Sequence, residues 1–159
     1  MTDTSRRPGS PLRNRSYWAG LLLGIATMAA VDEIVFHQIL AWHHFYDRGT
    51  SEIALLSDGL LHAGELFVFV FGFFLMMDAR RRRVFWPTAA WTGYAVGLGA
   101  FQLWDGVIDH KVLRVHQIRY GVDLLPYDVA WNGAAVLLLL VGVVGTVLLA
   151  RRARSEPRD

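Results

Sequence analysis

The sequence contains no cysteine. Disulfides, thiolate metal sites, haem attachment through Cys-x-x-Cys-His and palmitoylation are therefore excluded. Other signals are missing too. There is no serine-nucleophile signature, phosphate loop or EF-hand, and no repeat of 20–50 residues can be defended. Gly97-Leu-Gly99 lies inside an apolar segment with no strand before it, so it is not a nucleotide loop. Net charge is nearly absent, at +2. The total therefore says little, and the distribution of charge carries the information.

What the chain has is apolar sequence. It is 53% hydrophobic, with a mean hydropathy of +0.31. Four apolar segments, near residues 17–42, 55–77, 84–108 and 124–150, are each long enough to cross about 30 Å of hydrocarbon at roughly 1.5 Å per residue. Lipid satisfies no backbone polar group, so they are expected to be helices. The first is too long for a removable signal peptide and lacks a small-residue cleavage site. The expected fold is all-α, a four-transmembrane-helix bundle over residues 17–150, with short basic disordered tails at 1–16 and 151–159.

Basic residues set the expected orientation. Arg6, Arg7, Arg13 and Arg15 precede the first segment, Arg80 to Arg83 separate the second and third, and Arg151, Arg152, Arg154 and Arg158 follow the fourth. The positive-inside rule places these regions and both termini in the cytoplasm, as in a multi-pass protein of a bacterial inner membrane. The arginine run reads as a topology signal, and nucleic acid is not an expected partner.

Polar residues gather at the opposite end. All six histidines (His37, His43, His44, His62, His110 and His116) lie there, with ten of the fourteen acidic residues. At about 100° per residue, Glu33, His37 and His44 would share a face of the first helix, and Asp32 and His43 a neighbouring stripe. Asp58, His62 and Glu65 share a face of the second, and Gln102, Asp105 and Asp109 a face of the third, with His110 at its end. Asp128 and Asn132 lie one turn apart on the fourth. A membrane-buried charge costs at least about 2.5–3.5 kcal/mol, so the stripes are expected to face one another.

Carboxylates and imidazoles without thiolates suit zinc, iron, manganese or copper(II). The expected site is a metal centre with His37, Asp58, His62, Asp109, His110 and His116 as ligands. Asp32, Glu33, His43, His44, Asp105 and Asp128 would be further ligands or groups that orient the imidazoles. An enzyme would use a metal-activated water with a spare carboxylate as base. Haem held by histidine pairs ranks below a bare metal ion. Two other classes stay open: non-enzymatic metal handling, and a proton or ion pathway in which Glu65, the deepest acid, is critical. Structural readings compete at single positions. Asp58 could cap the second helix, Asp109 could pair with Lys111 or Arg114, and His43 and His44 could merely sit at the water interface beside Trp42.

The stretches VDEIVFHQILAWHHFYD, SDGLLHA, GAFQLWDGVIDHKVLRVHQI and YDVAWNG resemble a family of bacterial membrane proteins called domain of unknown function 2243, over about residues 17–150. The resemblance implies a four-helix integral membrane protein with no assigned activity. Its motif positions fall on Asp32, His37, Gln38, Trp42, His43, His44, Asp58, Gly59, His62, Gly106, Asp109, His110, His116 and Asp128. Some members adjoin or are fused to cytochrome oxidase assembly proteins. The resemblance thus implies respiratory or copper biology, with an oxidase or its assembly factors as partners beside the lipid bilayer. This chain departs from the family pattern in four places. Glu33 stands where glycine is usual, Asp105 replaces a glutamate, and Lys111 and Gln117 occupy frequent histidine positions. These last two argue against every family histidine being a ligand. Small-residue faces at Gly20-x-x-x-Gly24 and Gly93-x-x-x-Gly97 would permit a homodimer.

Overall fold

The computed structural model describes residues 9–155, leaving residues 1–8 and 156–159, the ends of the two expected tails, outside the description. Four α-helices carry the fold: α1 (Arg15–Val31), α2 (Ser51–Arg81), α3 (Pro87–Trp104) and α4 (Leu125–Ser155). Helices α1 and α3 each continue into a π-helical segment, Asp32–Ile39 and Asp105–Val112. No strand occurs among the described residues. Asn14 starts α1 by accepting the Ser16 amide on its side-chain oxygen at 2.8 Å.

Three helices, Arg15–Ile39, Ser51–Arg81 and Leu125–Ser155, are long and apolar enough to cross a membrane. Their outer surfaces are apolar: Phe67, Phe71 and Phe74 of α2 and Val129, Leu137 and Leu140 of α4 are all exposed. The remaining helix, α3, is rich in glycine, alanine and tryptophan. It packs against α1 and α4, and a helix screened by protein needs small side chains more than hydrophobic ones.

The α1–α3 contact is made by backbone. A Cβ at Gly20 would lie 2.0 Å from the Ala90 carbonyl oxygen, and one at Gly24 2.2 Å from that of Tyr94. Reciprocally, a Cβ at Gly93 would lie 2.1 Å from the Tyr17 oxygen, and one at Gly97 2.1 Å from that of Leu21. Both sets of partners advance together, so α1 and α3 run parallel. The two small-residue faces are thus one interface within the chain.

These contacts reveal a repeat longer than 50 residues. Gly20 and Gly93 are 73 positions apart (93 minus 20), and so are Gly24 and Gly97. The same shift lays DEIVFHQILAWH, from Asp32 to His43, on DGVIDHKVLRVH, from Asp105 to His116. It also superposes the two left-handed residues that end the π segments, Ala41 (φ 47°) and Arg114 (φ 53°). Helices α2 and α4, both 31 residues long, follow at nearly the same shift. The molecule is therefore two hairpins, α1–α2 and α3–α4, paired through their first helices. Helix α2 packs on α1 and α4 on α3, and α2 and α4 share no extensive contact among the described residues.

The first helix stops short of the expected end at residue 42. Its ladder widens to five residues, with the Leu40 amide donating to the Val35 carbonyl at 2.9 Å, and Ala41 then reverses the chain. His43 and His44 consequently leave the helix, which corrects their expected places on its two polar stripes. Both lie in the connection between α1 and α2. At the far end, Asp78 gathers Arg15, Arg81 and Arg82 at 2.6, 3.0 and 2.8 Å. The arginine-rich segments and the histidines therefore occupy opposite ends.

The backbone contact predicts an asymmetry among glycines. Gly97→Ala should lower the thermal midpoint of the detergent-solubilised protein, by overpacking worth about 1–3 kcal/mol. Gly133→Ala, at a helical position with nothing within 4 Å, should leave the midpoint unchanged or raise it. Size-exclusion chromatography after a heating series reads both.

Candidate metal centre

The π segments position the site. In an α-helix, residues five apart point about 140° away from each other. A π turn brings them close to one face. Asp32 and His37 stand in that relation, as do Asp105 and His110. Asp32 Oδ2 lies 3.5 Å from His37 Nε2, and Asp105 Oδ2 lies 3.2 Å from His110 Nε2.

The chain reversals after Ala41 and Arg114 return one more histidine from each repeat. The two loops cross, and the Asp47 amide donates to the Val115 carbonyl at 3.0 Å. His43 Nδ1–H donates to the Ile118 carbonyl and His116 Nδ1–H to the Phe45 carbonyl, both at 2.9 Å. Each acceptor lies two residues beyond the other histidine, so the exchange is symmetric. The His43 and His116 rings stack at 4.6 Å with a 3° interplanar angle. His37 lies 4.5 Å from the His43 ring, and His110 lies 4.7 Å from that of His116.

These bonds fix tautomers. A carbonyl only accepts, so Nδ1 of His43 and His116 carries the proton and Nε2 keeps a lone pair. His37 Nδ1 faces two carboxylates, Asp58 Oδ1 at 3.1 Å and Glu33 Oε2 at 2.8 Å, and is likewise the donor. Nε2 of His37, His43, His110 and His116 has no hydrogen-bond partner although all four side chains are buried, and neither has Asp105 Oδ2. Unpaired polar atoms in a protein interior are rare and costly. Here they gather in one place. An imidazole that donates one nitrogen to a carbonyl or carboxylate and presents the other bare has the arrangement of a metal-bound histidine. Donor atoms of His43, His110 and His116 lie within 4.8 Å of one another, as do those of Asp32, His37 and His43 and those of Glu33, His37 and Asp58.

The surroundings of the two loop histidines act on them in opposite directions. Burial, reinforced by the neighbouring His116, His37 and His110, pulls His43 down to about 2 and keeps its lone pair free. Burial also acts against protonation of His116, but the Asp105 carboxylate, with Oδ1 3.2 Å from Nε2, outweighs it and raises the group.

The remaining residues expected at the site sort by contact. Asp58 does not cap α2, which begins at Ser51. It receives His37 Nδ1, His44 Nδ1 at 2.6 Å and the Phe45 amide at 2.7 Å. Its oxygens are therefore engaged in holding the loop and His37 in place. His62 is not drawn in: its exposed ring pairs with Glu65 at 2.6 Å. Asp128 pairs with Lys111 at 2.6 Å and stays outside the clusters, and Asp109, though buried, belongs to none of the three. His43 is more central than its position in the sequence suggests. The missed signal was the second copy, Asp-x-x-x-x-His-x-x-x-x-x-His.

A helical membrane protein with a buried histidine–carboxylate cluster at one end is the class these features define. The chain belongs to the predicted membrane protein family called domain of unknown function 2243 (DUF2243), whose pattern matches residues 19–152. No curated protein and no solved structure matches it.

Asp58→Ala should release the loop after Ala41, because three bonds to one buried carboxylate are lost, each worth about 1.5–3 kcal/mol. Hydrogen exchange should then show rapid exchange of the Phe45 amide, while the α3 amides stay protected. Unchanged protection of Phe45 would show that Asp58 does not hold the loop.

Proposed function

We propose that this is a four-span protein of a bacterial inner membrane with both termini in the cytoplasm, carrying a transition-metal centre at its extracytoplasmic end. One observation carries the reading: four buried imidazoles present bare Nε2 atoms to one place, three of them with the other nitrogen hydrogen-bonded outward. Helix α3 is counted as a span because it lies parallel to α1 in equivalent register. Orientation rests on the arginines at the opposite end.

Nitrogen and carboxylate donors without sulfur suit zinc, iron, manganese or copper(II). Haem loses support on steric grounds, since neighbouring rings lie only 4.5–6.1 Å apart and leave no slot for a macrocycle. A conduction path loses support as well. Towards the arginine end the space between α1 and α3 is closed by glycine–backbone contact. A metal-dependent enzyme and a metal-handling protein beside a respiratory oxidase both use the same centre. They differ in whether the ion stays or exchanges. A resident ion would supply an activated water, and a carboxylate of the cluster not engaged as a ligand would accept its proton.

Elemental analysis of protein purified in mild detergent tests the centre. Wild type should carry stoichiometric metal, and His116→Ala should carry clearly less. Wild type that remains empty after reloading with zinc, iron, copper and manganese contradicts the proposal.

The native lack of cysteine makes topology equally testable. In intact spheroplasts, a membrane-impermeant thiol reagent should label Glu52→Cys, at the exposed start of α2, and should spare Ser155→Cys. The reverse pattern would invert the orientation.

A further inference from the structure

We infer that the centre holds two metal ions, one for each repeat: Asp32, His37 and His43 face one, and Asp105, His110 and His116 face the other. The inference rests on the metal centre proposed above and adds its nuclearity. The 73-residue shift that aligns the glycines also aligns these residues pairwise, Asp32 with Asp105, His37 with His110, and His43 with His116. Each repeat therefore brings one carboxylate and two imidazoles. Two histidines and a carboxylate make a complete protein share of a metal site and leave positions open for water or substrate. A single ion held by His43, His110 and His116, whose donor atoms lie within 4.8 Å of one another across the two repeats, would leave Asp32 and His37 without an ion.

Charge points the same way. Asp32, Glu33, Asp58, Asp105 and Asp109 are all buried, and an ion in each repeat would set a cation beside the carboxylates of both halves. Uncompensated carboxylates in a membrane protein interior are costly. The crossing of the loops ties the halves together, because each loop histidine is aimed by a carbonyl of the opposite repeat.

The halves are not identical. Glu33 and Asp58 brace His37 Nδ1, whereas Gly106 occupies the position equivalent to Glu33, and His110 Nδ1 has no partner. A Cβ at Gly106 would lie 2.4 Å from Asn132 Oδ1, so α4 closes the space that Glu33 fills in the first repeat.

Stripped full-length protein in detergent should be titrated with zinc(II) and with manganese(II), with bound metal measured after desalting. Wild type should saturate at two ions per chain, and His37→Ala and His110→Ala at one each. Two bound manganese ions should also give an exchange-coupled paramagnetic resonance spectrum. Where an alanine variant does not elute as a single species, Asp32→Asn and Asp105→Asn replace it. The wild-type stoichiometry and spectrum need no variant. Saturation at one ion, an isolated-ion spectrum at full loading, or loss of all metal in a variant of either repeat overturns the two-ion centre. Wild type that binds nothing instead overturns the metal centre itself.

Discussion

The backbone contact between α1 and α3 is the constraint on which the rest depends. Four glycines let two parallel helices approach until the carbonyl oxygens of one occupy the space of absent Cβ atoms on the other. That approach sets the separation of everything beyond the last glycine. The π segments begin at equivalent residues, Asp32 and Asp105, and deliver their polar side chains to the same depth. A wider crossing would part the two histidine pairs and separate the two loops. Packing near the middle of the helices therefore sets the geometry of the cluster at one end.

The ends themselves are built from irregular backbone. A π turn changes which residues share a face, and a left-handed residue reverses the chain within a few positions. Both devices occur twice and in equivalent places. Irregular backbone at such a depth is tolerated where protein covers it, and here the two loops cover each other through reciprocal histidine–carbonyl bonds. The result is a frame that orients His37, His43 and His116 through bonds to their Nδ1 atoms. Asp58 extends the frame to α2 by holding His37, His44 and the Phe45 amide together.

Much of this was legible in the residues. Apolar length gave an all-α membrane protein, and the segregation of arginine from histidine gave two unlike ends. The clustering of His37, His110 and His116 with carboxylates followed from the cost of charge in lipid. What escaped had physical causes. Uniform helical spacing placed His43 and His44 on a helix, but the five-residue ladder ends it before they are reached. His62 shares the stripe of Asp58 and Glu65, yet its ring turns to Glu65 and stays exposed. Asp128 looked like part of the site until Lys111 was placed against it. The duplication itself was missed because its 73-residue shift exceeds the range usual for small repeats, and because Gly106 replaces Glu33 within it.

In the proposed centre the inward imidazoles are metal ligands. X-ray absorption at the edge of the metal retained by the purified protein tests it most directly. Nitrogen and oxygen neighbours only, with the outer-shell scattering of several imidazole rings, are expected. A shell of oxygen alone, with no imidazole signature, would mean that any metal present sits elsewhere and that the four histidines do not hold it.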